Sequence, residues 1–326
     1  MLTRTLGRSG IQVSAIGMGG WAIGGPWWKG THPVGWSKVD DNESIRAIHR
    51  ALELGINFFD TADVYGCGHS ERVLGKALAG KRHQVIIATK FGQTFDETTK
   101  QGTGYNVTPE YIHQACDASL RRLNVDVIDL YQLHVKDVDA AQARVVRDVL
   151  EDLVAAGKIR WYGWSTDEAA SARIFAEGKH CTAIQQRLNI FEGNAETLRV
   201  CEENHLASIN RNPLAMGLLT GKFSATTTFP DDDIRRDRYD FQGKDAALLQ
   251  KLERLRAILT ADGRTLAQAA LGWLLARSER TIPIPGFKTV AQVQDNAGVL
   301  QRGALTTTQM KEIAEILQEM NEPMNQ

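Results

Sequence analysis

Eight short apolar, β-branched runs punctuate the chain, with helix-like stretches between them. In order they are VSAIGMG, GINFFD, QVIIATK, VIDLYQLH, RWYGWS, CTAIQ, ASINR and TIPIPG. Continuous apolar runs of this length read as buried strands. The segments between them include DNESIRAIHRALELG, SERVLGKALAG, TPEYIHQACDASLRRLN and AQARVVRDVLEDLVAAG, and Gly55, Gly80 and Gly157 fall where helix C-terminal caps belong. Such alternation implies parallel pairing through right-handed crossovers. Eight units in one uninterrupted chain of 326 residues predict an α/β fold, a closed (β/α)8 TIM barrel rather than an open doubly wound sheet. No Gly/Ser/Pro-rich linker divides the chain, so a single barrel domain over 1–326 is expected. Two pieces lie outside the repeat. LTRTLGRSGIQVS predicts an N-terminal β-hairpin plugging the barrel bottom, and TTTQMKEIAEILQEMN predicts an extra C-terminal helix across its outside. The stretch 224–244, SATTTFPDDDIRRDRYDFQGK, is polar and long for a βα connection. Loops of that length in a compact fold are functional or mobile.

Composition removes several function classes. The formal net charge is −1, which leaves no electrostatic footprint for nucleic acid or an anionic membrane. Hydrophobic residues make up 43% of the chain, enough for a sizeable core, yet no apolar run is long enough to span a bilayer. The N-terminal MLTRTLGRSG lacks the apolar stretch of a signal peptide. Cys67, Cys116, Cys181 and Cys201 are dispersed and form no CxxC. That pattern suits reduced thiols in a cytoplasmic protein, not a disulfide framework or a zinc site.

Active sites of barrels form at the C-terminal ends of their strands, so strand-end residues carry the chemistry. Asp60 ends the second run, with Tyr65 on the loop beyond it; Lys90 ends the third and His134 the fourth. Adjacent strands are about 5 Å apart, so these side chains converge over the barrel mouth. A phenol with its usual pKa of about 10 is a poor proton donor at neutral pH. An ammonium about 4 Å away stabilises the phenolate by ~4 kcal/mol at an effective dielectric near 20, which predicts a downward shift of up to roughly three units. Asp60 would hold Lys90 charged, and His134 would orient a substrate carbonyl toward Tyr65. This set polarises and protonates a carbonyl, and a cofactor must supply the hydride. Each residue alone has an ordinary structural reading; their joint placement on three successive strands is what carries the inference.

With these residues in place, the chain resembles the aldo-keto reductase family nearly end to end. GINFFDTADVYGCGHSE, YQLH, AAGKIRWYGWST, NPLAMGLLTGK and IPGFKTVAQVQDNAG carry the likeness, and GGWAIGGPWWKG resembles a bacterial branch with a Trp-rich first loop. The resemblance implies reversible NAD(P)H-dependent reduction of aldehydes or ketones without a metal, with Asp60, Tyr65, Lys90 and His134 as the catalytic tetrad. It places Ser165, Thr166 and Gln185 on the nicotinamide amide, with Asn189 at the expected spacing. Arg211 stands where relatives often stack an aromatic ring on the nicotinamide. Asn212, Pro213, Leu214, Met216, Gly217, Thr220 and Lys222 fall in the pyrophosphate segment, where a short helix start offers N–H groups to an anion. Gly286, Lys288, Gln292, Asp295 and Asn296 match the adenosine half, and Gly20, Trp21, Asp60 and Arg235 complete the implied cofactor set. Lys288 is the one cation in IPGFKTVAQVQDN available to a 2′-phosphate, which predicts NADPH over NADH with use of both.

Trp21, Trp27, Trp28 and Trp36 cluster after the first strand. They read as a pocket wall, with Trp21, Trp28, Tyr65 and His134 facing a small-molecule carbonyl substrate. Two alternatives stay open at this point. A class I aldolase would use Lys90 as a Schiff-base lysine. A non-catalytic, cofactor-binding regulatory subunit would resemble the β subunit of voltage-gated potassium channels, which has asparagine where this chain has His134. A metal hydrolase would need ligands at strand ends, and the first run ends in GMGG with no HxH.

Overall fold

The computed structural model describes residues 1–136 and 138–320. Asn321, the last residue of the expected C-terminal helix, and the rest of the chain to 326 lie outside the described residues. β1 (Thr3–Thr5) and β2 (Gln12–Ser14) form an antiparallel hairpin. β3 (Met18–Gly19) opens the barrel, and the Trp-rich loop after it contains β4 (Trp28–Lys29) and β5 (His32–Pro33). β6 (Phe58–Asp60) and β7 (Ile86–Phe91) follow, then a hairpin of β8 (Gln93–Asp96) and β9 (Gln101–Tyr105). β10 (Ile128–Leu133), β11 (Ile159–Ser165), β12 (Cys181–Arg187), β13 (Ala207–Arg211) and β14 (Thr281–Pro283) complete the set.

The eight barrel strands β3, β6, β7 and β10 to β14 pair in parallel in chain order. All eight coincide with the runs read from the sequence. The barrel closes where Gly17 N donates to Pro283 O and Gly19 N to Pro285 O, each at 2.9 Å, and Gly19 bridges Gly286 in parallel. β8 and β9, absent from the sequence reading, pair with β4 and β5 in a four-stranded side sheet.

Helices alternate with strands as expected: α1 (Asp41–Glu53), α2 (His69–Ala77), α3 (Pro109–Leu123), α4 (Ala140–Ala155), α5 (Ala169–Ala176) and α6 (Ala195–Glu203). Their ends are set locally. The Asp40 carboxylate accepts from the N–H groups of Asn42 and Glu43 at the start of α1, and Thr108 with Pro109 starts α3. The glycines expected as caps, Gly55, Gly80 and Gly157, are all left-handed, with φ of 79°, 73° and 72°. Between β13 and β14 lie α7 (Arg235–Arg238), α8 (Ala246–Thr260) and α9 (Leu266–Arg277). α10 (Val290–Ala297), α11 (Val299–Arg302) and α12 (Thr307–Glu319) follow β14. α12 packs on α8 and α9 outside the barrel, where Gln309 Nε2 donates to Ile258 O at 3.1 Å.

Apolar packing forms two layers. The larger lies between strands and helices. The smaller fills the lower barrel: Leu6 and Val13 of the hairpin pack on Phe58, Ala88, Leu130, Ala183, Ile209 and Ile282. At roughly 1.5–3 kcal/mol for each large side chain removed from water, this contact holds the hairpin as a plug. Apolar side chains below leave the polar ones above. Along β10, Leu130 lies in this lower layer, and Gln132 and His134 follow on the same face at the mouth.

Candidate active site

Asp60, Lys90 and His134 sit at or just past the ends of β6, β7 and β10, and Tyr65 stands on the loop after β6. Lys90 is fully buried, so every donor of its ammonium needs a partner. Its Nζ donates to Asp60 Oδ1 at 2.5 Å, Thr61 O at 2.7 Å and Tyr65 OH at 3.3 Å. The second Asp60 oxygen accepts from Gln132 Nε2 at 3.1 Å and Gln185 Nε2 at 2.8 Å. The rings of Tyr65 and His134 meet edge to face with centroids 5.8 Å apart. The four expected tetrad residues are therefore brought together.

Electrostatics assigns their protonation states. Burial alone would lower the Lys90 ammonium, but Asp60 and Tyr65 outweigh it and raise Lys90 above the ordinary lysine value. Burial, reinforced by the charges of Lys90 and Arg211, holds His134 well below the usual imidazole value, so it is neutral at pH 7. The expectation of a lowered Tyr65 is corrected. Burial pushes the phenol up, and Lys90, though it pulls downward, does not win; Asp60 offsets part of that pull. A lysine held charged, with all three donors engaged, is a poor Schiff-base nucleophile, which removes the support for the aldolase reading.

Beside the tetrad runs a cleft of about 230 Å³. Its walls carry Trp21, Asp60, Tyr65, Gln185 and Arg211, then the expected pyrophosphate residues Asn212, Pro213, Leu214, Met216, Gly217, Thr220 and Lys222. Arg235, Gly286, Lys288, Gln292, Asp295 and Asn296 complete the predicted lining. Gly20, Ser165, Thr166, Trp28 and His134 are not among the lining residues. Ser165 and Thr166 are buried at the end of β11, and Gly20 N donates to Asp60 O at 2.7 Å, which fixes the loop carrying Trp21.

Several expected contacts are already committed within the protein. The Gln185 Nε2, expected on a ligand amide, is spent on Asp60 and on Gln132 Oε1 at 3.2 Å. Asn189 Nδ2 donates to Asn212 O at 3.1 Å. Lys288 Nζ donates to Ser37 O at 2.5 Å, and Gln292 Oε1 accepts from Lys288 N at 2.7 Å. Arg211 is ion-paired to Asp167.

The residues nevertheless fit a dinucleotide. Asn212, Ala215, Met216 and Gly217 all have left-handed φ, at 54°, 45°, 51° and 103°, which bends this backbone tightly at the cleft wall, with Ala215 N donating to Asn212 O and Gly217 N to Leu214 O, each at 2.9 Å. Non-glycine residues hold such angles at a cost, and they concentrate at functional segments. Asn296, 3% exposed, keeps its Nδ2 unpartnered in the cleft wall. Asp295 is used otherwise: its Oδ1 accepts from Thr265 Oγ1 at 2.7 Å.

The Trp-rich loop does not form one wall. Trp21 stacks on Tyr65 with centroids 6.1 Å apart and meets Trp36 edge to face at 5.8 Å. Trp27 is buried against Ala62, Val64 and Cys67, and Trp28 lies on β4 in the side sheet and is not among the residues lining the cleft. The long stretch 224–244 packs its aromatic residues Phe229, Tyr239 and Phe241 around Phe223 and crosses to this loop. Ile234 N donates to Gly35 O at 2.9 Å, the Asp233 carboxylate accepts from Ser37 N at 3.4 Å, and Arg235 lies between the rings of Trp36 and Phe229 at 4.5 and 4.7 Å. Gln132, Asp167 and Asp233 were missed from the sequence. Only Gln132 carried a signal, being two residues before His134 on an inward-facing strand position.

Among the described residues, no helix is long and apolar enough to cross a membrane. Against known proteins, the model of the aldo/keto reductase family matches residues 15–318. The chain is 33% identical over 325 residues to "Aldo-keto reductase yakc [NADP(+)]" of Schizosaccharomyces pombe, covering 96% of this chain and 90% of that one. The structure of the glycerol dehydrogenase AKR11B4 from Gluconobacter oxydans superposes with a TM-score of 0.85 at 32% identity, covering 99% of this chain and 97% of that one. The holo form of aldo-keto reductase AKR11C1 from Bacillus halodurans gives a TM-score of 0.78 at 28% identity, with 97% and 96% covered. A barrel with this tetrad at its mouth, matched over nearly its whole length, belongs to the aldo/keto reductase family.

Proposed function

We propose that the chain, acting as one barrel domain over 1–326, reduces aldehydes or ketones to alcohols with NADPH in preference to NADH. The observation that carries this reading is the Lys90 ammonium, held between Asp60 Oδ1 at 2.5 Å and Tyr65 OH at 3.3 Å. Because Lys90 donates to the phenol oxygen, the phenol keeps its own proton for a substrate oxygen. As that proton leaves, the nearby ammonium stabilises the phenolate, by ~5 kcal/mol at an effective dielectric near 20. Neutral His134 orients the carbonyl oxygen and does not compete as the acid. Trp21, stacked on Tyr65, shields the site from water. NADPH held along Asn212, Gly217, Lys222, Lys288 and Asn296 would supply a hydride for the carbonyl carbon, and with the proton that Tyr65 gives the carbonyl oxygen the product would be the alcohol.

The NADPH preference is supported by Arg235 and Lys288 in the cleft wall and by the NADP(+) in the name of the fission-yeast relative. The substrate is a small carbonyl compound, with no nucleic acid or membrane partner. A cytoplasmic location is supported by four free, buried cysteines. The test is oxidation of NADPH and of NADH with short, aromatic and sugar-derived aldehydes, with borohydride trapping in parallel. NADPH consumption without trapping supports the reductase; substrate trapped on Lys90 without cofactor consumption rejects it.

A further inference from the structure

We infer that Asp167 sets how strongly the cleft distinguishes oxidised from reduced nicotinamide, by neutralising Arg211 on the wall that also carries Tyr65. The inference rests on the nicotinamide reading above. Arg211 ends β13, and its guanidinium lines the cleft with Tyr65 and Gln185. It is close enough to act electrostatically on both Tyr65 and His134. Its counter-ion comes from another strand end, since Asp167 lies just past β11. That carboxylate is pinned: its other oxygen, Oδ1, accepts from Arg187 N at 2.7 Å. The Asp167 carbonyl accepts from Asn194 Nδ2 at 2.9 Å and Thr197 Oγ1 at 2.7 Å. The Arg211 guanidinium at the reacting end of the cleft is therefore backed by a fixed carboxylate.

The proposed reaction would place the nicotinamide along this wall. Its hydride-donating carbon must come within about 3–3.5 Å of the carbonyl carbon, and the carbonyl oxygen must reach Tyr65 OH. The oxidised ring carries a positive charge and the reduced ring does not. An uncompensated guanidinium here would repel only the oxidised form, by about tenfold in affinity for a separation of about 12 Å at an effective dielectric near 20. With Asp167 in place the wall is close to neutral, so both redox forms are held and both directions of the reaction stay open. Asp167 is thus a positioning residue for charge, acting through Arg211.

Direct titration of NADPH and of NADP+ without substrate tests this, in wild type, Asp167→Asn, Arg211→Met and the double variant. Asp167→Asn should weaken NADP+ about tenfold relative to NADPH, and Arg211→Met should move the ratio the other way. The double variant should return to within about threefold of wild type, because the two charges are removed together. Equal changes in both affinities, or single variants shifting the ratio in the same direction, would overturn the inference. If wild type binds neither cofactor, this inference and the proposed function fall together; if it binds both and the ratio does not move, only this inference falls.

Discussion

Asp60 and Lys90 leave adjacent strands of one parallel ladder, whereas Arg235, at the start of α7, and Lys288, on the loop after β14, reach the cleft from segments far apart in the chain. In the ladder, Asp60 pairs in register with Ala88, and Gln132 with Lys90. Backbone pairing thus delivers the buried ammonium, its carboxylate and the supporting amide to fixed positions. On the other wall, a strap formed by residues 233–235 meets residues 35–37 through a handful of hydrogen bonds, one buried carboxylate and an arginine between two rings. The difference lies in what a single change can do. In the ladder the groups share one charge network, so removing one leaves another uncompensated. In the strap each contact is local and partly exposed, so its loss should be modest and sensitive to salt.

Tyr65→Phe probes the ladder side most severely. It should lower kcat about 10²- to 10⁴-fold while leaving NADPH affinity nearly unchanged, measured by steady-state kinetics and direct binding. Asp60→Asn should come next. It leaves the Lys90 ammonium buried without its counter-ion, a cost of about 3–5 kcal/mol in unfolding free energy, read by denaturant titration. Adding Lys90→Met should recover part of that stability; independent losses would break the ladder description.

Lys90→Met alone has a pH signature. Reduction needs a protonated phenol, so the rate is full below the raised Tyr65 value and falls as pH rises through it. Removing the charge that pulls Tyr65 down should move this alkaline limb to still higher pH and lower the plateau; an unmoved limb would uncouple the two residues. The smallest effect belongs to the strap side. Lys288→Ala should weaken NADPH about tenfold, leave NADH nearly unchanged, and lose its effect as salt rises. A loss as large as that of the ladder variants would erase the contrast between the two walls.

The ladder was also the legible part. Asp60, Lys90 and His134 stood at the ends of apolar runs, and strand periodicity with barrel topology was enough to bring them together. The hairpin plug, the eight strands and the outer C-terminal helix followed from the same patterning. The side sheet was missed because β8 and β9 are polar and half exposed, giving no apolar alternation. Asp167 was missed because its ion pair is with Arg211, distant in sequence; Asp233 pairs locally with Arg235, but its bond to Ser37, which ties the two loops together, has no local pattern to announce it. The Tyr65 shift was misjudged in sign because the sequence supplied the neighbouring charge but not the depth of burial that opposes it.

The most direct test is to follow hydrogen from NADPH deuterated at the transferring position of the nicotinamide into the product of aldehyde reduction. Wild type should place one deuterium on the former carbonyl carbon, and Tyr65→Phe should bind the same cofactor yet form almost no alcohol. Alcohol formed without deuterium, or labelled alcohol formed at the wild-type rate by Tyr65→Phe, would contradict hydride transfer with Tyr65 as the acid.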